Sequence, residues 1–186
     1  MERYVVAATP FGGDGLVERS RARGFEPGYA WMKFRRDAAG PAPDARSELR
    51  VGPVESGDDF AAVVGAVFGM PAEVVEIFGA LPELPGWHCL AAYEADEAVA
   101  VGALFVLDGV GWLGSAGTLP EQRGRGAQSA LLSARIALAD ELGLETLATE
   151  TGERLEGAPS ASYRNILRAG FEEAYLRPNF TAPRSA

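Results

Sequence analysis

The sequence contains very few of the residues that build disulfides and metal centres. Among its 186 residues are one cysteine, Cys89, and one histidine, His88. A single cysteine cannot form an intrachain disulfide or a cysteine-based zinc cage, and a lone histidine weakens the case for other metal sites. We therefore expect a protein that binds no metal ion.

The sequence also lacks long apolar runs and an excess of positive charge. No apolar stretch approaches the roughly 20 residues that span a bilayer, and the charged residues Glu2 and Arg3 do not fit a signal peptide. The net charge of −9 argues against a general nucleic-acid-binding protein. We expect a cytoplasmic protein whose partners include neither a membrane nor a nucleic acid.

The most informative stretch that is present lies between residues 110 and 132. Residues 110–118 are apolar, rich in glycine and uncharged, which predicts a buried strand. Pro120 ends this strand, and from Ala127 onward apolar residues recur at helical spacing. The loop between them, Arg123-Gly124-Arg125-Gly126, directs free backbone N–H groups and the positive end of a helix dipole at one point. The pattern predicts an anion-binding loop that suits a diphosphate.

This loop resembles the acyl-CoA-binding motif of the GNAT superfamily of N-acetyltransferases. The family signature is Arg or Gln, two residues, Gly, one residue, then Gly or Ala. Arg123 and Gly126 match the first and fourth positions, whereas Gln128 stands at the sixth. A second element, residues 162–171, resembles the Ser-x-x-Asn helix followed by Gly-Phe that lies against the pantetheine arm in this family.

The resemblance implies acetyl-CoA as the cofactor, without a metal, and direct transfer of an acyl group to the amine of a small molecule or a protein. It places the thioester carbonyl on the strand before the loop and the diphosphate on the loop itself. The cofactor-binding residues that it implies are Ala116, Gly117, Thr118, Arg123, Gly124, Arg125, Gly126, Ala127, Gln128, Ser129, Ser162 and Asn165.

The general acid that the family uses, a tyrosine on the second element, is missing from its usual place. Ile166 stands there instead. Tyr163, one turn earlier, is our candidate catalytic acid, and Ser160 or Ser162 could substitute. The alternative, which we favour for Tyr163, is that its ring packs in the core and the two serines cap the helix.

The general base is expected at the end of the strand that follows the long helix. Glu150 ends this strand beside the cleft and is our candidate catalytic base. Partial exclusion of water by Trp87, Trp112 or Phe105 would raise the pKa of Glu150. That Glu150 simply faces the solvent is at least as good an interpretation. His88 and Cys89 are less suited, because His88 lies far from the cleft in sequence and Cys89 has no basic neighbour.

The remaining chain predicts an α/β protein. By resemblance, residues 48–180 form a GNAT-like mixed, mostly antiparallel sheet with helices on both faces. The predicted order is a strand (49–54), helices (56–68 and 71–79), three strands (87–94, 98–107 and 110–118), a helix (127–142), a strand (144–149), a helix (159–170) and strands (171–176 and 179–181). Met70, Phe78, Trp87 and Tyr175 are candidates for lining the acceptor pocket, although core packing is the commoner role for such residues.

The N-terminal part predicts a strand–helix–strand extension. Residues 3–8 read as a strand, Asp14 as a helix cap, and residues 25–34 as a second extended segment. The Gly-Phe-Glu-x-x-Tyr core of residues 24–29 recurs at residues 170–175. We therefore divide the chain into a segment of residues 1–36, a Pro/Ala/Gly-rich linker of residues 37–47 and an acyltransferase domain of residues 48–186. The first segment is either a degenerate copy of the C-terminal quarter or shares this core by coincidence.

Two other functions compete with the enzyme. The first is a catalytically weak acyl-CoA-binding, sensing or interaction module of the same fold, which the missing tyrosine favours; pairing of residues 1–36 with another chain, including a homodimer, remains open. The second is an unrelated phosphate-binding enzyme. The sequence argues against it, because the loop lacks the Lys-Ser/Thr of a P-loop and the glycine spacing of a dinucleotide fold.

Overall fold

The computed structural model describes residues 5–13, 15–155, 157 and 160–183. Within them the chain forms ten strands and five α-helices. In chain order these are β1 (Val5–Ala7), α1 (Leu16–Ala22), β2 (Glu26–Pro27), β3 (Trp31–Asp37), β4 (Arg50–Pro53), α2 (Gly57–Phe68), α3 (Ala72–Ala80), β5 (Trp87–Glu94), β6 (Glu97–Leu107), β7 (Val110–Thr118), α4 (Ala127–Glu141), β8 (Thr146–Gly152), α5 (Ala161–Arg168), β9 (Glu172–Arg177) and β10 (Asn179–Thr181). In the part of the chain covered by these ranges, no helix combines the length and the apolar character that crossing a bilayer requires.

Seven strands form the main sheet in the order β4-β5-β6-β7-β8-β3-β9. Every neighbouring pair is antiparallel except β7 and β8, which are parallel. Helices α4 and α5 pack on one face of this sheet and α2 and α3 on the other. The predicted fold class, a mixed, mostly antiparallel sheet flanked by helices on both faces, is confirmed.

The N-terminal segment contributes a strand to the main sheet. Strand β3 lies between β8 and β9, while the C-terminal strand β10 lies between β1 and β2 in a second, three-stranded sheet. The runs β1–α1–β2–β3 and β8–α5–β9–β10 therefore exchange their last strands. The division drawn at residue 36 falls inside β3 and does not separate the two sheets. The internal duplication stays a prediction.

Local sequence signals explain where helix α2 begins and ends. The Ser56 hydroxyl accepts a hydrogen bond from the Asp59 amide at 3.1 Å, which caps the first turn. Gly69 adopts a left-handed conformation with φ of 60° and ends the helix. For α1 the predicted cap, Asp14, lies outside the described residues.

The register of the strands assigns side chains to the two faces of the main sheet. Leu104, Leu113 and Phe34 belong to the core beneath α4 and α5, which we call the α4 face. Their neighbours along each strand alternate to the opposite face, the α2 face, because successive side chains in a strand point to opposite sides. Lys33 and Glu150, which are paired across β3 and β8, therefore lie on the α2 face.

Candidate active site

Strands β7 and β8 separate part-way along their length. They pair only over residues 110–113 and 146–149. Beyond this point Gly114, Gly117 and Thr118 pair with β6 alone, and residues 150–152 pair with β3 alone. The Thr149 hydroxyl donates a hydrogen bond to the Leu113 carbonyl oxygen at 2.7 Å and closes the last paired position. A V-shaped gap in the sheet follows.

A bulge in β7 lies at the start of this gap. Ala103 pairs with Gly114 and Val101 with Gly117, so two residues of β7 lie opposite Gly102 of β6. Ser115, one of the two, has a positive φ of 47°. A bulge of this kind leaves backbone groups unpaired by the ladder and turns them in a new direction.

A cleft of about 820 Å³ passes through the gap. It is bordered by the end of α2, by β7 and the loop after it, and by the first turns of α4 and α5. Eleven of the twelve residues predicted to bind the cofactor line it: Ala116, Gly117, Thr118, Arg123, Gly124, Gly126, Ala127, Gln128, Ser129, Ser162 and Asn165. The predicted residues therefore share one cleft, and their role in binding a cofactor stays a prediction.

The loop before α4 has the backbone geometry of an anion site. Gly124 and Gly126 have φ values of 83° and 82°, which favour glycine. Gly126 occupies the N-cap position of α4, and no side chain in the described part of the chain caps the first turn. The N–H groups of that turn, at residues 127–129, have no intrahelical partner and border the cleft. The residues present fit a diphosphate.

The two arginines of the loop point in different directions. Arg123 lines the cleft, and its Nε donates to the Thr118 carbonyl oxygen at 3.4 Å. Arg125 is absent from the cleft wall and forms an ion pair with Glu94, in which Nη2 lies 2.6 Å from Oε1. Only the first arginine is placed to meet a phosphate without rearrangement.

Gln128, which departs from the family signature, joins α4 to α5. Its Nε2 donates to the Ser162 hydroxyl at 2.9 Å, and its Oε1 accepts from Asn165 Nδ2 at 2.8 Å. The residue lies in the first turn of α4, beyond the tight turn, so a large side chain is accommodated. The two motifs found in the sequence meet through this glutamine.

Tyr163 does not border the cleft. Its side chain is 3% exposed and its ring packs edge-on against Phe34 at 4.9 Å. Its hydroxyl donates a hydrogen bond to Glu173. Burial, with this hydrogen bond, raises the pKa of Tyr163 to about 12. The residue is built into the core, and this geometry counts against the candidate role as catalytic acid.

Glu150 lies on the α2 face among cations rather than among the expected aromatic side chains. It contacts Lys33, and the Arg177 Nη1 atom lies 3.7 Å from its Oε2. The aromatic residues that were expected to exclude water from it form their own cluster on β5 to β7, where the ring centroids of Trp87 and Phe105 lie 4.8 Å apart. The carboxylate is therefore already engaged by two positive charges.

Sequence reasoning missed two cleft-lining groups that come from the N-terminal segment and from the end of β8. Tyr29 is 55% exposed and borders the cleft. Its hydroxyl packs on Gly152, where an added Cβ would lie 1.3 Å from the oxygen. Glu153 also borders the cleft, and its carboxylate accepts a hydrogen bond from the Ala30 amide at 3.2 Å. The only sequence signal was the repeated Gly-Phe-Glu-x-x-Tyr core, which ends at Tyr29.

The remaining candidates have structural roles. Met70, Phe78 and Trp87 pack against the core beneath α2. Cys89 is buried in the same cluster, and burial raises the pKa of its thiol to about 11, which makes it a poor nucleophile. Tyr175 lies edge-on to Phe11 at 5.5 Å.

A parallel strand pair that splays beside a bulge, with a glycine-rich loop at the N-terminus of the next helix, agrees with the family comparison. The model of the Acetyltransferase (GNAT) family matches residues 55–159, more than half of the sequence. The chain belongs to the GNAT acetyltransferase family. No curated protein matches this GNAT chain significantly.

Solved structures show the same fold at low sequence identity. A GCN5-related N-acetyltransferase from Sphaerobacter thermophilus is 18% identical, with a TM-score of 0.76 over 96% of this chain and 59% of its own. One from Kribbella flavida is 16% identical, with a TM-score of 0.72 over 97% and 68%. A tandem GNAT protein from the clavulanic acid biosynthesis pathway is 16% identical, with a TM-score of 0.64 over 99% and 65%. Our chain thus spans about three fifths of the first of these GNAT structures.

Proposed function

We propose that this GNAT protein is an acetyl-CoA-dependent N-acyltransferase that acts on the amine of a small molecule or a protein. The observation that carries the proposal is the loop of residues 123–126 opening into the cleft at the gap between β7 and β8. An uncapped helix N-terminus, two glycines with positive φ and Arg123 converge there. Such a site favours a diphosphate.

The cofactor would lie along the cleft from this loop to the bulge. The N–H groups of residues 127–129 and Arg123 would hold the diphosphate. The pantetheine arm would follow β7, with Ser162 and Asn165 on the opposite wall. These side chains are kept in place by Gln128, which hydrogen-bonds both of them. The thioester would then lie beside the bulge, where backbone dipoles can act on its carbonyl oxygen.

The bound cofactor supplies an acyl thioester, to which the uncharged amine adds; a C–N bond forms and the C–S bond breaks. The departing thiolate needs one proton, and the amine nitrogen must lose one. Tyr29 is suited to the first task, because it borders the cleft and no hydrogen bond engages its hydroxyl among the described residues. Glu153 or water is suited to the second, and Glu150 stays a prediction for it.

The test mixes the protein with acetyl-CoA and a panel of amines and follows free thiol. Tyr29→Phe should lower kcat by about a hundredfold or more, the lower end of the range of general acid catalysis, while the affinity for CoA stays within about a factor of three. Tyr163→Phe is the matched control, since it removes a hydroxyl outside the cleft. Equal effects of the two substitutions would refute the assignment of Tyr29, and no binding of CoA would refute the proposed function.

A second candidate is an acyl-CoA-binding module with little turnover. It is favoured by one observation: α5 offers no tyrosine hydroxyl to the cleft, because Ile166 occupies the family position and Tyr163 is buried. Thermal stabilisation by CoA without thiol release from any amine in the panel would support this function over the first.

A further inference from the structure

Arg135 carries a buried positive charge. Its side chain is 1% exposed and lies on the inward face of α4 beside Leu131 and Leu132. Of the ion pairs that the described residues form, none includes it. Burial lowers its pKa to about 10, which still leaves the side chain protonated at neutral pH. A buried cation is unfavourable unless a specific arrangement compensates it.

The compensation comes from backbone carbonyl groups at the β7 bulge. Arg135 Nη1 donates to the Ala103 carbonyl oxygen at 3.0 Å and to that of Gly114 at 3.4 Å. Its Nε donates to the Leu131 carbonyl oxygen at 2.9 Å, within its own helix. Ala103 and Gly114 are the last paired residues before the register shifts. The guanidinium thus bridges the two strands where the bulge begins.

The strand opposite the bulge is shaped around this side chain. At Gly102 an added Cβ would lie 2.8 Å from the central guanidinium carbon of Arg135. Arg135 also borders the cleft, on the side of the bulge that faces α4. A leucine at position 135 would match the apolar neighbours on the helix but would leave the bulge carbonyl groups without these donors.

We propose that Arg135 is a positioning residue for acyl transfer, which holds and polarises the bulge that receives the thioester carbonyl. This inference rests on the proposed function, since that function places the thioester beside the bulge. The Gly114 carbonyl and the Ser115 N–H belong to one peptide group. A cation that takes the carbonyl oxygen withdraws electron density from this group and strengthens its N–H as a donor, an effect that low dielectric enhances. Arg135 touches no reacting atom and acts through the backbone.

The experiment measures the carbonyl stretch of acetyl-CoA labelled with ¹³C at the thioester carbonyl, by isotope-edited infrared spectroscopy of the bound cofactor. This infrared measurement requires no acceptor amine. In the wild-type protein we expect the band below its frequency in solution, and in Arg135→Met we expect it to return toward the solution value. Arg135→Met should also lower kcat about tenfold or more, with KM for acetyl-CoA within a factor of three. Leu132→Met, a core change on the same helix, is the control and should move neither quantity.

Each outcome separates the inference from the function on which it rests. A wild-type band that is unchanged in Arg135→Met, with kcat retained, would overturn the role of Arg135 and leave the acyltransferase intact. No bound band in the wild type would refute acetyl-CoA binding, and the inference with it. Where Arg135→Met does not fold, Arg135→Lys carries the test. Lysine keeps the positive charge, but its side chain is shorter than that of arginine, so the ammonium lies farther from the two carbonyl oxygens that Nη1 reaches. The band should therefore move part of the way toward the solution value, and a band at the wild-type frequency would overturn the proposal.

Discussion

Gly126→Ala tests the anion site most directly, because the structure fixes the size of the perturbation. The φ of 82° at this position costs a residue with a side chain roughly 1–2 kcal/mol. In addition, the new Cβ would lie 2.4 Å from the Arg46 carbonyl oxygen, so the loop or the facing segment must move by about 1 Å to restore ordinary contact. A shift of this size takes a hydrogen bond of about 2.9 Å beyond its useful range. We expect the affinity for CoA to fall at least tenfold, about 1.4 kcal/mol.

The matched control is Gly124→Ala. Gly124 has nearly the same φ, 83°, but an added Cβ would have no neighbour within 4 Å among the residues that the structure describes. Titration calorimetry with CoA and thermal unfolding should be carried out on both variants. The difference in their melting temperatures reports the clash with Arg46, at about 2–4 °C for each kcal/mol. A Gly126→Ala protein that melts earlier than the control yet binds CoA as tightly as the wild type would refute the assignment of the diphosphate to this loop.

Three further predictions address the loop arginines, the single lysine and the α2–α3 contact. Arg123→Ala should weaken CoA binding about tenfold and Arg125→Ala less than threefold, because only the first arginine borders the cleft; equal losses in calorimetry would contradict this. Burial and the neighbouring Arg177 lower the pKa of Lys33 to about 8, while its contact with Glu150 opposes the shift. The unfolded chain then holds this proton to higher pH than the folded protein, so the free energy of unfolding should rise between pH 8 and 10; the same slope in Lys33→Met would refute the assignment. Gly57→Ala should destabilise the protein by about 1–3 kcal/mol in urea, because its Cβ would lie 2.0 Å from the Gly79 carbonyl oxygen, and an unchanged midpoint would show that the helices separate freely.

Local sequence signals were sufficient for most of the elements and for one wall of the cleft. Ser56 and Gly69 mark the ends of α2 in the sequence and do so in the structure. The apolar run of residues 110–118 is strand β7 as predicted. These features depend on neighbours within a few residues, where capping and alternation act. The loop of residues 123–126 was found for the same reason, since its glycines and the following helix are contiguous.

Features that depend on distant pairing could not be found in this way. Strand β3 enters the main sheet between β8 and β9, more than 100 residues away in sequence, and no local pattern specifies that register. Tyr29 reaches the cleft only because β3 is placed there. The side-chain orientation of Tyr163 could not be predicted either, because an amphipathic helix can place such a residue toward the core or toward the cleft. The Glu173 carboxylate, which accepts the hydrogen bond from the Tyr163 hydroxyl, lies on strand β9.

The exchanged strand brings the N-terminal segment to the edge of the cleft. Strand β3 pairs with residues 146–152 of β8, and these include the edge of the gap through which the cleft passes. The Ala30 and Glu153 backbone groups, together with the Glu153 carboxylate, tie the start of β3 to the end of β8. Tyr29, which directly precedes Ala30, is held beside Gly152 by these hydrogen bonds. Removal of β3 would therefore leave one wall of the gap without its partner and Tyr29 without the strand that places it beside the cleft, which makes the segment part of the candidate active site.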